Sequence, residues 1–352
     1  MIKFVDLNRC WQELKSDLLP AYDGIHTSGM VSNGKYRTLV EDQLKDMTGR
    51  KHCRLTTSGT TAIQGSLIAW NILQKKVACT NYSYVASTNQ AALFNDVILF
   101  DVNENGNIVI DSDVNVDAII PVSLFGNPVD YDTITSHVGN AKIIADCAQS
   151  LGSKYKGAPD GSLGDCSILS FATNKPVPTA GTQGAVLFDD DNMVEKVGRA
   201  LNNGKLSRNS RIESHGINGN SYELQAAQIH FGLKRLEQWQ SKRKQISEYY
   251  MSEFKDLPIC IIKAEKNCDS NWHKFVIKTD KRDSLCEFLK QKGIDSQKHY
   301  TDNFAEFFGS GNDVMPTTEK LCATVLSIPN NQWLTDQEVK HISNNIKNFF
   351  NA

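Results

Sequence analysis

Short apolar runs alternate with stretches of helical spacing from about Thr56 to Phe188. Val97-Ile98-Leu99-Phe100, Ala118 to Val122, Ile143-Ile144-Ala145, Ser167 to Phe171 and Ala185 to Phe188 read as buried strands, each too short for a helix. Crossover helices lie between several of them, the first with Ile63, Leu67 and Trp70 at i, i+4 and i+7. Parallel neighbours need such crossovers, so the pattern predicts an α/β fold whose mostly parallel sheet is covered on both faces. The later runs follow one another more closely, which leaves room for one antiparallel strand.

A second pattern starts near Gln225, where Leu224, Ala227 and Phe231 open a long helical stretch that runs past Trp239 toward Tyr250. It is expected to link two domains. Beyond it, Phe275-Val276-Ile277 reads as a strand and Ser284 to Lys292 as a helix ended by Gly293. Val339, Ile342, Ile346 and Phe349 mark an amphipathic terminal helix. The expected architecture is a large three-layer α/β/α domain over residues 12–235 and a smaller C-terminal α+β domain over 236–352, with residues 1–11 packing on the latter.

Composition narrows the function classes. Of 352 residues 40% are hydrophobic and 22% charged, and the formal charge is -2, with no basic stripe, which argues against a nucleic-acid or anionic-membrane partner. The opening MIKFVDLNRCWQELK has no apolar signal core, and no run approaches the roughly 18 apolar residues of a membrane span, so a cytoplasmic protein is expected. Nine cysteines without a CxxC pair fit reduced thiols. Eight histidines without ligand spacing predict no metal site.

Ligands of open α/β sheets gather at the carboxyl ends of strands, and four places there carry chemistry. Ser58-Gly59-Thr60-Thr61 opens a helix, where free N–H groups and the helix dipole suit a phosphate, although a serine there is equally an ordinary cap. Asp146 follows Lys142-Ile143-Ile144-Ala145; a carboxylate at a buried strand end either caps the next helix or meets a cation such as a protonated pyridine nitrogen. Lys175 stands just past Ile168 to Asn174, where partial desolvation would let its amine form a Schiff base, though most lysines are surface charges. Tyr84, in Asn81-Tyr82-Ser83-Tyr84, could stack on a flat heterocycle or belong to the core.

In order and spacing these segments resemble the DegT/DnrJ/EryC1/StrS sugar aminotransferases of the aspartate-aminotransferase fold. The resemblance runs along nearly the whole chain, through Phe4-Val5-Asp6-Leu7, Ser58-Gly59-Thr60, Tyr84 to Asn89, Leu124-Phe125-Gly126-Asn127-Pro128, Asp146 to Gly152, Gly161 to Asp165, Ser170-Phe171 with Lys175, Glu223 to Ala227, and His299-Tyr300. It implies pyridoxal 5'-phosphate as cofactor, Lys175 as its Schiff-base lysine, Asp146 as partner of the pyridine nitrogen, Gln149 beside the phenolic oxygen and Tyr84 stacked on the ring. Gly59, Thr60, Thr61 and Ser170 look like the phosphate cradle. Asn218 resembles the residue that reaches the phosphate from a neighbouring subunit, which implies a homodimer with shared active sites, and His299 and Tyr300 match a motif near the sugar. The implied reaction takes the amino group of L-glutamate to a nucleotide-linked keto sugar, at C4 of a 4-keto-6-deoxy sugar or alternatively at C3.

The chain also departs from the family pattern. Asn218-Gly219-Asn220 replaces the usual Asn-aromatic-Arg, Ser123 a common histidine, Ala172-Thr173 a His-Pro or Tyr-Pro pair, and Thr182-Gln183-Gly184 a Glu-Gly-Gly. Three other readings compete with this one. A dehydratase of the same fold carries histidine in place of Lys175; an NAD-dependent oxidoreductase would need GxGxxG where Ser58-Gly59-Thr60-Thr61 stands. The third, a regulatory homologue that binds the cofactor without turnover, keeps the fold and loses the chemistry.

Overall fold

The computed structural model of the protein describes residues 1–309 and 314–351. The first part of the chain forms α1 (Leu7–Ser28), α2 (Lys35–Thr48), β1 (His52–Thr56), α3 (Gly59–Ala69), β2 (Lys76–Thr80), α4 (Ala86–Ala92), β3 (Asp96–Phe100) and β4 (Ala118–Ile120). There follow α5 (Tyr131–His137), β5 (Lys142–Asp146), β6 (Cys166–Ser170), β7 (Gly184–Phe188), α6 (Val194–Ala200) and α7 (Glu223–Leu233). The seven strands make one sheet in the order β1-β7-β6-β5-β4-β2-β3. Every pairing is parallel except those of β7, which runs antiparallel to β1 and β6 and is the one reversed strand for which the close late runs left room.

Three layers follow from the period of two along each strand. In β5, Ile143 and Ala145 point into one core and Ile144 into the other; in β7, Ala185 and Leu187 oppose Val186 and Phe188. The first core is closed by α1, α2, α5 and α7 through Leu14, Leu18, Leu44, Ile134 and Ile229. The second is closed by α3 and α6 through Ile63, Leu67, Val197 and Leu201. Glu223 ties two of these helices together: its buried carboxylate accepts from the N–H groups of Gly34, Tyr36 and Arg37 at 2.7–3.1 Å, which caps α2, the helix that α7 packs against.

The long helical stretch expected from Leu224 to Tyr250 is two helices. α7 stops at Leu233 and α8 (Leu236–Glu253) starts after a turn at Lys234 and Arg235. The Arg235 guanidinium is drawn to Asp17 of α1 at 2.6 Å, while the apolar phase continues unbroken through Leu236 and Trp239, which hides the break from the sequence pattern. α8 leaves the first core and delivers Ile246 and Tyr250 to a third.

That third core surrounds a three-stranded antiparallel sheet of β8 (Cys260–Ile261), β9 (Phe275–Lys278) and β10 (Val325–Ile328), in the order β8-β9-β10. α9 (Arg282–Gln291) and α11 (Asp336–Asn351) supply Leu285, Leu289, Ile342 and Ile346 to it, and α10 (Pro316–Thr324) precedes β10. Ile2 pairs with Ile294 beside this sheet, whereas Cys10 and Leu14 of α1 already belong to the first core. A fourth cluster joins Tyr82, Val122 and Phe125 to Ile262, Val276 and Leu321, so the small sheet rests against the loops that follow β2 and β4. Among the described residues no helix is long and apolar enough to cross a membrane.

Candidate active site

The carboxyl ends of β4, β5 and β6 and the start of α3 open on a cavity of about 380 Å³, within the size range of small-molecule sites. It gathers Gly59, Thr60, Tyr84, Asp146, Gln149, Ser170, Lys175, His299 and Tyr300. Thr61 and Asn218 fall outside its wall. The Thr61 hydroxyl is taken up by Thr57 and Ser58, both at 2.9 Å, and Asn218 is exposed and bridged to Asn202.

At one end lies the first turn of α3. The Ser58 hydroxyl accepts from the Thr61 N–H at 3.0 Å, so Ser58 is the ordinary cap, and the preceding N–H groups of Gly59 and Thr60 have no carbonyl within the helix to bond. They face the cavity together with the Ser170 side chain. Gly59 is required by close approach: a Cβ there would stand 3.0 Å from that of Ser170. Gly184 is tighter still, since its Cβ would meet Ser58 and Gly59 backbone at 2.4–2.5 Å. The glycine of the unusual Thr182-Gln183-Gly184 therefore lets β7 lie against the turn. A helix N-terminus with hydroxyls around it suits a phosphate group.

Across the cavity Asp146 is only 5% exposed. Its Oδ2 accepts from the Ser87 hydroxyl at 2.5 Å and its Oδ1 from the Ala148 N–H at 3.0 Å. These bonds fix the carboxylate at a place where no lysine or arginine forms an ion pair with it among the described residues, so a ligand cation is its natural partner. Ser87 was not singled out from the sequence, because its meaning lies in a contact made across 59 positions.

Lys175 projects between these two ends. Its ammonium nitrogen lies 5.9 Å from the centre of the Tyr84 ring, and its side chain forms no ion pair among the described residues. Burial pushes its pKa below the usual lysine value, opposed by the charge of Asp146. Tyr84 remains 55% exposed, an open aromatic face on the cavity rather than a core residue. Gln149 is buried, with its side-chain oxygen accepting from the Phe125 N–H at 3.1 Å and its amide donating to the Tyr300 hydroxyl at 3.3 Å. His299 is held by Ser327 at 2.9 Å, and burial pushes its pKa down to about 2, so it is a neutral ring.

A second lysine, unremarked in the sequence, stands behind Tyr300. Lys274 is 4% exposed, with its ammonium 5.6 Å from the Tyr300 ring and no carboxylate partner among the described residues. Burial, reinforced by Lys175, depresses its pKa well below 10.5. An unfolded chain keeps that lysine protonated up to about pH 10.5, so burial costs stability that is largest at low pH and returns as pH rises toward 10.5. Lys274→Leu is expected to stabilise the protein by about 1–3 kcal/mol at neutral pH. Denaturation at pH 7 and pH 10 should show this gain narrowing; a less stable variant at pH 7 would mean the ammonium is compensated after all.

The arrangement fits a flat, phosphorylated heterocycle with a basic ring nitrogen and a carbonyl: anion-binding N–H groups at one end, a fixed carboxylate at the other, and an amine between them. Among the described residues no group of three or more histidine, cysteine or acidic side chains could hold a metal ion.

Residues 12–347 match the sequence profile of the DegT/DnrJ/EryC1/StrS aminotransferase family. The chain is similar to the UDP-2-acetamido-2-deoxy-3-oxo-D-glucuronate aminotransferase of Pseudomonas aeruginosa, 26% identical over 97% of this chain and 98% of that protein. It is similar to the UDP-4-amino-4,6-dideoxy-N-acetyl-beta-L-altrosamine transaminase of Campylobacter jejuni, 27% identical over 90% of each. A crystal structure of a DegT DnrJ EryC1 StrS aminotransferase from Brucella abortus superposes with a TM-score of 0.93 at 24% identity and covers all of both chains, a likeness of fold.

Proposed function

The chain belongs to the DegT/DnrJ/EryC1/StrS aminotransferase family, and from that membership we propose that it transfers the amino group of L-glutamate to a nucleotide-linked 4-keto-6-deoxy sugar, giving a 4-amino-4,6-dideoxy sugar. Pyridoxal 5'-phosphate is the cofactor, held covalently by Lys175. The observation that carries this reading is the convergence of the Lys175 amine, the Asp146 carboxylate and the Gly59–Thr60 helix turn on one cavity.

When bound, the cofactor supplies a conjugated electron sink for the substrate carbon. Gly59, Thr60 and Ser170 hold its phosphate. Asp146, fixed by Ser87 and Ala148, would keep the ring nitrogen protonated, and Tyr84 and Gln149, on the same cavity, would hold the ring and its phenolic oxygen. With the donor bound, the free Lys175 amine would accept the proton from the donor α-carbon, hold it as an ammonium and give it up again, and in the second half-reaction it would return a proton to the substrate carbon. A lysine does this only when neutral, which its desolvated position favours. The regulatory reading, by contrast, needs no neutral lysine at the cavity.

Exposed Asn218 supports a homodimer in which each subunit's 218–220 segment reaches the neighbour's phosphate site; a solution mass of two chains is expected. The C3 reading is favoured by the 3-oxo sugar in the name of the Pseudomonas relative. Glutamate should convert the lysine-bound absorbance in one turnover and release one equivalent of 2-oxoglutarate. The aminated enzyme is then offered dTDP-, UDP- and GDP-linked 4-keto-6-deoxy and 3-keto sugars. Turnover of only the 3-keto set would move the reaction to C3, and no spectral change with glutamate would sink the aminotransferase reading.

A further inference from the structure

A second, small cavity of about 20 Å³ lies behind Lys175. Asn174 and Lys175 line both it and the large cavity, so the two adjoin at the lysine. Its far side is built where three parts of the chain meet: Arg243 from α8, His273 just before β9 and Asn330 just after β10. No aspartate or glutamate lines it.

Each of those three side chains leaves one buried polar atom without a partner. Arg243, 2% exposed, donates through Nε to the Asn271 carbonyl at 3.3 Å and through Nη1 to Gln332 at 3.0 Å, which leaves Nη2 as a donor. Both amide hydrogens of the buried Asn330 are used, on Ser247 at 3.0 Å and on the Trp272 carbonyl at 2.9 Å, so its orphan is the acceptor Oδ1. For His273 the orphan is Nε2. Burial, with Lys274, Lys175 and Arg243 nearby, pushes the His273 pKa well below 6.5, so the ring is neutral and Nε2 accepts when Nδ1 carries the proton.

Buried polar atoms are rarely left unpaired, so an occupant has to satisfy all three. An anion would meet two acceptors, and a cation would meet Arg243 and Lys175. A volume of about 20 Å³ suits a single water. We propose that this cavity seats one water molecule, which takes hydrogen bonds from Arg243 and the freed Lys175 amine and gives them to Asn330 and His273. Two donors and two acceptors use both lone pairs and both hydrogens of a water. The bond to Lys175 anchors one N–H at the back of the site and turns the amine's lone pair toward the large cavity, where the donor binds. Arg243, His273 and Asn330 are thereby positioning residues for the proton transfer. That role, though not the water site itself, rests on the aminotransferase reading above.

A crystal structure of the cofactor-loaded protein, grown with bromide in place of chloride, reads the site directly. One water within hydrogen-bond distance of Arg243 Nη2 and Asn330 Oδ1 is expected; an anomalous bromide peak there, or no density, would overturn the proposal. The role is read from the rate at which saturating glutamate converts the lysine-bound absorbance. Asn330→Leu and His273→Leu each remove one acceptor and should slow that conversion by roughly 10-fold with KM for glutamate unchanged, as for a misaimed proton acceptor. The absorbance before glutamate is added counts the folded protein, and two variants on different segments keep the test open where one misfolds. A merely structural role would lower the melting temperature and leave the rate per folded enzyme at the wild-type value, which would overturn the positioning role. A wild type that holds the water yet shows no spectral change with glutamate would remove the aminotransferase reading, and the positioning role with it, and leave the water site standing.

Discussion

Lys175→Ala abolishes the near-visible absorbance of the lysine-bound cofactor and lowers kcat by at least about 10³-fold, the span of a lost acid–base group before the lost covalent tether is counted. Stability of the cofactor-free protein should hold or rise. The Lys175 ammonium makes no ion pair among the described residues and its desolvation disfavours the charged form, so its removal breaks no direct pair and loses only the longer-range attraction of Asp146. The pH dependence of the wild type follows from the same position. Because the folded pKa lies below 10.5, the amine freed by the donor is neutral at lower pH than a free lysine, and the acid limb of kcat, which reports the enzyme with donor bound, should fall below 10.5. Full turnover by the alanine variant, or retained absorbance, would place the Schiff base on another residue.

The sheet was legible because its strands are buried on both faces and so read as nearly continuous apolar runs. β1 was not, since its His52-Cys53-Arg54 half sits at an edge, where polar side chains cost little, and β2 was not named as a strand either, its apolar run being only Val77-Ala78-Cys79. The helices α1 and α2 carry their apolar residues at helical spacing, Leu14, Leu18, Ala21 and Ile25 in α1, but charged positions between them obscured the stripe. Likewise the turn between α7 and α8 hides inside an unbroken apolar phase and becomes visible only through the pull of Asp17 on Arg235.

For the site, Asp146 at the end of β5 and Lys175 in the loop after β6 stood out as polar groups at strand ends but each kept a bland alternative, and Ser170 at the end of β6 was marked only by the family resemblance. What the sequence could not supply were long-range partners. Ser87 fixes Asp146 and Lys274 lies buried beside Tyr300; the Tyr84 to Asn89 segment contains Ser87 without marking that contact, and no motif marks Lys274. The split of the 58–61 turn is of the same kind. Its spacing suits a cap and a cradle equally, and only the fold shows that the Ser58 and Thr61 side chains bond each other at the cap, while Ser58, Gly59 and Thr60 line the cavity and Thr61 does not.

Asp146→Asn tests the other end of the site, and its two expected effects have opposite signs. The amide preserves shape: it still accepts from the Ala148 N–H, and the Ser87 hydroxyl can turn to accept from the new NH₂ group, so the melting temperature should change little. It cannot, however, hold a ring nitrogen in its protonated form, and kcat should fall by about 10²–10³-fold, the size of loss seen when one aimed electrostatic partner is removed. At the same time Asp146 is the charge that raises the Lys175 pKa against burial. Without it the freed lysine titrates lower still, which moves the acid limb of kcat to lower pH and by itself favours activity there. A carboxylate whose role were only to hold the lysine charged would therefore give a shifted limb and an undiminished plateau. A plateau that drops at every pH while the limb moves downward is the result expected if Asp146 acts on the ring nitrogen, and an unchanged plateau would take that role away from it.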